Sequence, residues 1–174
     1  MHIDAFELPK FERPGHWAHG DRSEQHKTRN AGKVKIVGVI DDHTRLVYTE
    51  IHAGETGAAV SATLRRAAAW FAEQGCGPVE AVMSDNAKCY TTSRLFQDAL
   101  AELDARHIRI PPRTPRWNGK IERFFQTLDR EWAHGRIWQT SRQRDRALSS
   151  FIRYYNRRRP HTACNGRAPI TRVH

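Results

Sequence analysis

The sequence predicts a mixed α/β domain: a sheet of five strands, antiparallel at its start and completed by helical crossovers. Three observations lead there. Apolar runs at 33–41 (KVKIVGVID) and 46–52 (LVYTEIH) flank the turn sequence DDHTR, which makes a hairpin. Segments with helical apolar spacing then alternate with short strand-like runs, the pattern of a crossover sheet. The length of 174 residues suits one domain, 1–174.

Taken in order, HIDAFEL at 2–8 reads as a strand. Residues 9–32 form a polar insertion punctuated by Gly and Pro, long for a connection within a domain. After the hairpin, 56–74 is a helix capped by Thr56, with Val60, Leu64, Ala67, Ala68 and Phe71 on its apolar stripe and Gly75 at its end. VEAVM at 79–83 is a strand, 92–104 a helix, and HIRI at 107–110 a strand stopped by Pro111 and Pro112. Thr114 and Pro115 open the next helix, which buries Ile121, Phe124 or Phe125, Leu128 and Trp132. A last helix at about 141–157 carries Leu148, Phe151, Ile152 and Tyr155.

The net charge of +10 is unevenly placed. Residues 1–105 hold 12 Lys and Arg against 15 Asp and Glu, whereas 106–174 hold 17 against 4. Arg dominates the basic part, and its planar fork suits phosphate. The asymmetry points to a nucleic-acid face rather than a generally basic surface. Three scattered cysteines, Cys76, Cys89 and Cys164, argue against a disulfide framework and fit a reducing compartment. No apolar run approaches a membrane span, and the opening MHIDAFELPKFERPG has no secretory-signal pattern, so a cytoplasmic protein without membrane contact is expected. His16, His19 and His26 fall in the insertion, but no cysteine accompanies them, which disfavours zinc.

Three acids stand out. Asp4 lies inside a strand, where acids are disfavoured. Asp85 follows VEAVM, and ligands of α/β sheets gather at the carboxyl ends of strands. Glu122 lies in the most cationic stretch, on a polar helix row with Asn118 and Gln126, at the border of the apolar stripe. Taken singly they read as a strand acid, a turn former and an ion-pair partner of Lys120 or Arg123. Together, beside a basic surface, they read as ligands of Mg²⁺ or Mn²⁺: a divalent cation relieves the repulsion that would otherwise raise their pKa values. Two such ions suit in-line chemistry at a phosphodiester.

These residues carry a resemblance that covers nearly the whole chain. HID, VIDDHTRLVYTE, ETGAA, SDNAKCY, PPRTPRWNGKIERFFQTLDREWA and YYNRRRPHTACNGRAP look like the catalytic core of bacterial insertion-sequence transposases, the group with a retroviral-integrase-type core and a D…D…E triad. Asp85 and Glu122 have 36 residues between them, close to the spacing such families show. The resemblance implies a ribonuclease H-like fold and Asp4, Asp85 and Glu122 as catalytic metal ligands, for two ions. It implies polynucleotidyl transfer: cleavage exposing a 3′-OH at an element end, then attack of that 3′-OH on target DNA. Arg116, Asn118, Lys120, Arg123, Arg157, Arg158 and Arg159 become candidate DNA contacts, with Asn118 and Lys120 as supports of the site. The implied partners are element ends, target DNA and further copies of the chain, as a homodimer or larger, in a bacterial cell and on the nucleoid when bound. Asp41 and Asp42 match the family's turn and are expected to be structural. The helix-turn-helix region that precedes such cores is not among the 174 residues. The alternatives are a ribonuclease H-like nuclease that only hydrolyses, and a catalytically inactive DNA-binding remnant.

Overall fold

A computed structural model describes residues 1–15, 18, 20, 31–111 and 115–173, with the backbone alone at 115 and 116. Most of the 9–32 insertion, including His16, His19 and His26 as possible ligands, lies outside the described residues, as does Thr114. Five strands form one sheet in the order β3-β2-β1-β4-β5. They are β1 (His2–Pro9), β2 (Lys33–Ile40), β3 (Val47–His52), β4 (Ala81–Ser84) and β5 (Arg106–Arg109). β1 and β2, and β2 and β3, pair antiparallel; β4 joins β1 and β5 in parallel. The mixed sheet and its antiparallel start are as the sequence predicts.

Parallel neighbours need crossovers, and two helices supply them. α1 (Gly57–Glu73) precedes β4; its N-cap Thr56 accepts the Ala59 N–H. After β4 come the one-turn helix α2 (Lys88–Thr91) and then α3 (Arg94–Glu102), capped by Ser93. Ile3, Val37, Val39 and Val82 pack under the α1 and α3 residues Val60, Leu64, Phe71, Phe96 and Leu100.

On the other face lie α4 (Gly119–Leu128), α5 (Ser141–Arg146) and α6 (Leu148–Arg157). Leu8, Val34, Ile36 and Ile40 meet Ile121, Phe124, Phe125, Leu128, Ile152 and Tyr155 there. Strand alternation divides these two sets: Val37 and Val39 face one way, Ile36 and Ile40 the other. Gly38 falls between the latter two, directly beneath α4, and a Cβ there would stand 3.1 Å from the Phe125 ring. The helix approaches the sheet this closely because position 38 has no side chain.

Three helix details differ from what the sequence predicts. A 3₁₀ turn (Pro115–Asn118) precedes α4, so the helix begins four residues later than the Pro signal indicates. α4 runs into a wider π turn (Asp129–Ala133), which seats Trp132 in the core. The single helix expected over 141–157 breaks at Ala147 into α5 and α6. Buried Arg144 anchors α5 by donating to the Pro9 carbonyl at 3.0 Å, whereas α6 follows its own apolar stripe. Among the described residues no helix is long and apolar enough to cross a membrane.

Candidate active site

β1 alternates Ile3 and Ala5 toward α1, and Phe6 and Leu8 toward α4. Asp4 shares the α4 side by parity. The parallel register sets His2 against Met83, so Asp4 comes level with Asp85 just past the end of β4. Asp85 Oδ1 accepts the Ala87 N–H at 2.9 Å, which shapes the turn. Asn86 holds that turn to β5 by donating to the Ile110 carbonyl at 2.7 Å.

α4 brings the third acid. Asn118 stands at its N-cap position, but the carboxamide makes no cap hydrogen bond. Instead Nδ2 donates to Asp4 Oδ2 at 3.0 Å. Glu122 lies one turn further along the same helix face, in the first turn, where the helix dipole favours negative charge. Among the described residues no ion pair joins Glu122 to Lys120 or Arg123; Lys120 bonds Asp42 instead. The surface ion-pair reading of Glu122 therefore has no support in the geometry.

Asp4 registers the crowding. Burial above all, and then the negative charges of Asp85, Glu55 and Glu122, raise its carboxyl to about 7, with the Ala5 N–H bond acting in the opposite sense. Glu55, which in the sequence stands out only as part of the ETGAA motif, is thus near enough to act on Asp4 through its charge. It sits just before α1, accepting the Cys89 thiol at 3.6 Å and facing Lys35 Nζ at 3.5 Å. Burial and Glu55 push the Cys89 thiol up to about 12. Tyr90 is fully buried; its hydroxyl makes no hydrogen bond among the described residues, and burial followed by Glu55 and Asp4 raises its pKa.

The donor set is of the kind a hard cation takes: carboxylate oxygens from separate elements, one of them with a strongly raised pKa. Among the described residues, no three His, Cys, Asp or Glu side chains stand close enough to form a ligating group as placed.

The expected DNA contacts divide. Arg123 and Arg158 are exposed, and the Arg116 side chain lies outside the described residues. Asn118 is 2 % exposed and committed to Asp4, so it supports the site and is not placed to touch DNA. Lys120 is engaged with Asp42. Arg157 donates to Gln74 at 3.0 Å, and Arg159 grips Glu131 with two hydrogen bonds of 2.8 and 2.5 Å. A groove of about 690 Å³ beside α4 is lined by Arg123, Gln126, Arg130, Arg159 and His161. Burial and then Arg159, Arg45 and Arg172 lower the His161 pKa, a mark of the positive potential there. Arg130 and His161 meet in this groove only because the C-terminal segment folds back, which no spacing in the sequence reveals. Trp117, 52 % exposed, precedes Asn118 and lines a cavity with Met1, His2, Asp42, Met83 and Lys120.

Comparison with known proteins gives the class of this fold: an integrase core. The family model for the integrase core domain matches residues 12–115, and a second integrase core domain model matches 103–169. The chain belongs to the integrase core domain family. It is 34% identical over 142 residues to the insertion element IS476 uncharacterized 39.2 kDa protein of Xanthomonas euvesicatoria, covering 80% of this chain and 39% of that protein. The chain thus spans well under half of that relative.

Solved structures share the fold. A chain of the simian T-cell lymphotropic virus intasome, in complex with PP2A regulatory subunit B56 gamma, superposes with a TM-score of 0.69 at 18% identity, covering 99% of this chain and 54% of that one. The HTLV-2 integrase catalytic core domain, in complex with magnesium in a trimeric form, gives 0.67 at 12% identity, covering 99% and 94%. The BIV integrase catalytic core gives 0.59 at 19%, covering 84% and 88%.

Proposed function

We propose that the chain is the catalytic core of a DNA transposase, a metal-dependent polynucleotidyl transferase that cleaves at element ends and joins them to target DNA. The observation that carries this reading is the Asp4 carboxyl: buried, held by Asn118, and raised to about 7 within the field of Asp85, Glu55 and Glu122. Asp4, Asp85 and Glu122 would hold Mg²⁺ or Mn²⁺, because an all-oxygen donor set suits these hard ions better than softer metals.

A bound ion supplies charge for the attacking and leaving oxygens of the phosphodiester. The chain's own residues set the geometry. Asn118 and the Ala5 N–H fix the Asp4 carboxyl. Asn86 pins the Asp85 turn, and the packing of Phe125 over Gly38 fixes the height of α4 and hence of Glu122. The Arg123–Arg130 side of α4 offers a cationic track that begins one residue from Glu122 and suits a phosphate backbone. Exposed Trp117 offers a stacking face for a base. Joining two ends to a target calls for more than one copy of the chain, in keeping with the trimeric and intasome forms of its structural neighbours.

The test is nicking of supercoiled plasmid with Mn²⁺ or Mg²⁺, comparing the parent with Glu122→Gln. Nicking by the parent alone, abolished by EDTA, supports the reading. Nicking that persists in the variant sinks it.

A further inference from the structure

Two polar residues stand against the site without belonging to the triad: His2 and Asp42. His2 is 4 % exposed and lies on the same strand face as Asp4. Its Nδ1 is 3.3 Å from Asn118 Oδ1, and its Nε2 is 2.7 Å from Asp42 Oδ1. Asp42 is bonded in turn by Lys120 Nζ. The two aspartates of the β2–β3 turn therefore differ in role. Asp41 Oδ2 accepts both the backbone N–H and the hydroxyl of Thr44 at 2.7 Å, which builds the turn. Asp42 faces β1 and α4 instead.

The result is a continuous run of polar contacts from the turn to the metal-ligand candidate: Lys120, Asp42, His2, Asn118, Asp4. Each ring nitrogen of His2 faces an oxygen, so a neutral ring with its proton on Nδ1 donates to Asn118 Oδ1, and the doubly protonated ring donates to Asp42 as well. The groups from Asp42 inward are planar, and their bonds are directional. A carboxamide that gives Nδ2 to Asp4 must turn Oδ1 the other way, and His2 Nδ1 stands there. The imidazole is held in its plane from its far side by Asp42. Asp4 Oδ1 is already taken by the Ala5 N–H at 2.8 Å, so Asn118 decides the remaining rotation of the carboxyl. Without a partner at His2 Nδ1, the buried Asn118 carboxamide would be free to flip, presenting its oxygen to Asp4.

The geometry points to His2, itself fixed by Asp42, as a positioning residue: through Asn118 it sets the orientation in which Asp4 meets the metal. This rests on the metal-site reading above. It assigns no contact with substrate to His2 or Asp42. Removing a group that bonds a metal ligand directly, as Asn118 bonds Asp4, changes affinity by about 10- to 100-fold, and His2 acts through that group.

Two substitutions separate the route from general packing. In His2→Asn the amide nitrogen falls where Nδ1 stands, so the Asn118 link is kept and the Asp42 link is broken. In His2→Gln the amide nitrogen falls where Nε2 stands, and the reverse holds. Mn²⁺ binding to the full chain is measured by the electron paramagnetic resonance signal of free Mn²⁺, with Asp85→Asn as the control that binding is at the carboxylates. DNA binding in EDTA and melting temperature are followed alongside. The expected result is Mn²⁺ affinity within about threefold of the parent for His2→Asn, and weakening of about tenfold or more for His2→Gln and Asn118→Leu, within the range for such groups. DNA binding in EDTA stays at the parent level in all three. Equal affinities for His2→Asn and His2→Gln, or parent affinity in Asn118→Leu, overturn the proposal while leaving the metal site intact. Parent binding that ignores Asp85→Asn overturns the metal-site reading, and this proposal with it.

Discussion

Asn118 Nδ2 lies 3.0 Å from Asp4 Oδ2, a hydrogen bond between residues 114 positions apart. It joins the N-terminal strand to the start of the helix that carries Glu122, and so ties two of the three acids proposed as metal ligands to one frame. The carboxyl it holds is buried, and its ionisation is unfavourable in the metal-free protein.

The first prediction follows from that penalty. Burial and the neighbouring carboxylates raise Asp4 from the usual 3.8 to about 7. The folded state therefore holds this proton more tightly than the unfolded state. Between about pH 4 and pH 7 the group makes stability fall as pH rises; below that window both states are protonated and the effect vanishes. Asp4→Asn should raise the melting temperature of the metal-free protein at pH 8 and change it little at pH 4. The shift should be several degrees, since about 1 kcal/mol corresponds to roughly 2–4 °C at this chain length. Equal melting of parent and variant at pH 8 would contradict it.

A second prediction concerns Gly38, which pairs with Asp4 across β1 and β2. A Cβ there would lie 3.1 Å from Phe125 Cε1 and Cζ and 3.4 Å from Ile121 Cδ1. Gly38→Ala should cost about 1–3 kcal/mol in urea denaturation by overpacking. It should also weaken Mn²⁺ binding, because α4 moves with Glu122. Phe125→Leu in the same chain should recover part of both effects; strict additivity of the two changes would deny the coupling.

The third prediction assigns the YYN segment to the fold. Buried Asn156 accepts the Val47 N–H at 2.9 Å and donates to the Val47 carbonyl at 2.8 Å, pairing with β3 much as another strand would. Asn156→Ala orphans both groups and should cost roughly 2–4 kcal/mol. Asn156→Asp keeps the acceptor and removes the donor, so its denaturation midpoint should differ from that of the Ala variant.

A fourth prediction tests the cationic track. Replacing Arg123 and Arg130 by Gln should lower the slope of log affinity against log salt by up to about 0.9 for each phosphate that is no longer neutralised. Arg159→Gln should change it less, because Glu131 already neutralises that guanidinium. A slope unchanged in the double variant would move the DNA path elsewhere.

The sequence made some of this legible and hid the rest for definable reasons. The apolar run in KVKIVGVI reveals β2, because both sheet faces are buried there and a strand covered on both sides reads as a near-continuous apolar stretch. Asp85 and Glu122 are readable from local context: a strand end and a cationic helix. The partners of Asp4 are not, since His2 and Asp42 are joined only by a register and a turn, and Asn118 looks like a DNA-facing residue unless its burial is known. Glu55 escapes because its effect on Asp4 is a matter of field rather than spacing. The break at Ala147 is invisible because it depends on the reach of Arg144 to Pro9, 135 residues away.

The most direct test is joining of a synthetic branched DNA, the reverse of strand transfer, with Mg²⁺ or Mn²⁺, by the parent and by Glu122→Gln. The expected result is a joined strand from the parent and none from the variant, with DNA binding retained by both. Cleavage without joining by the parent would make the chain a nuclease. No product from either, with metal-independent DNA binding intact, would contradict the catalytic assignment of Asp4, Asp85 and Glu122.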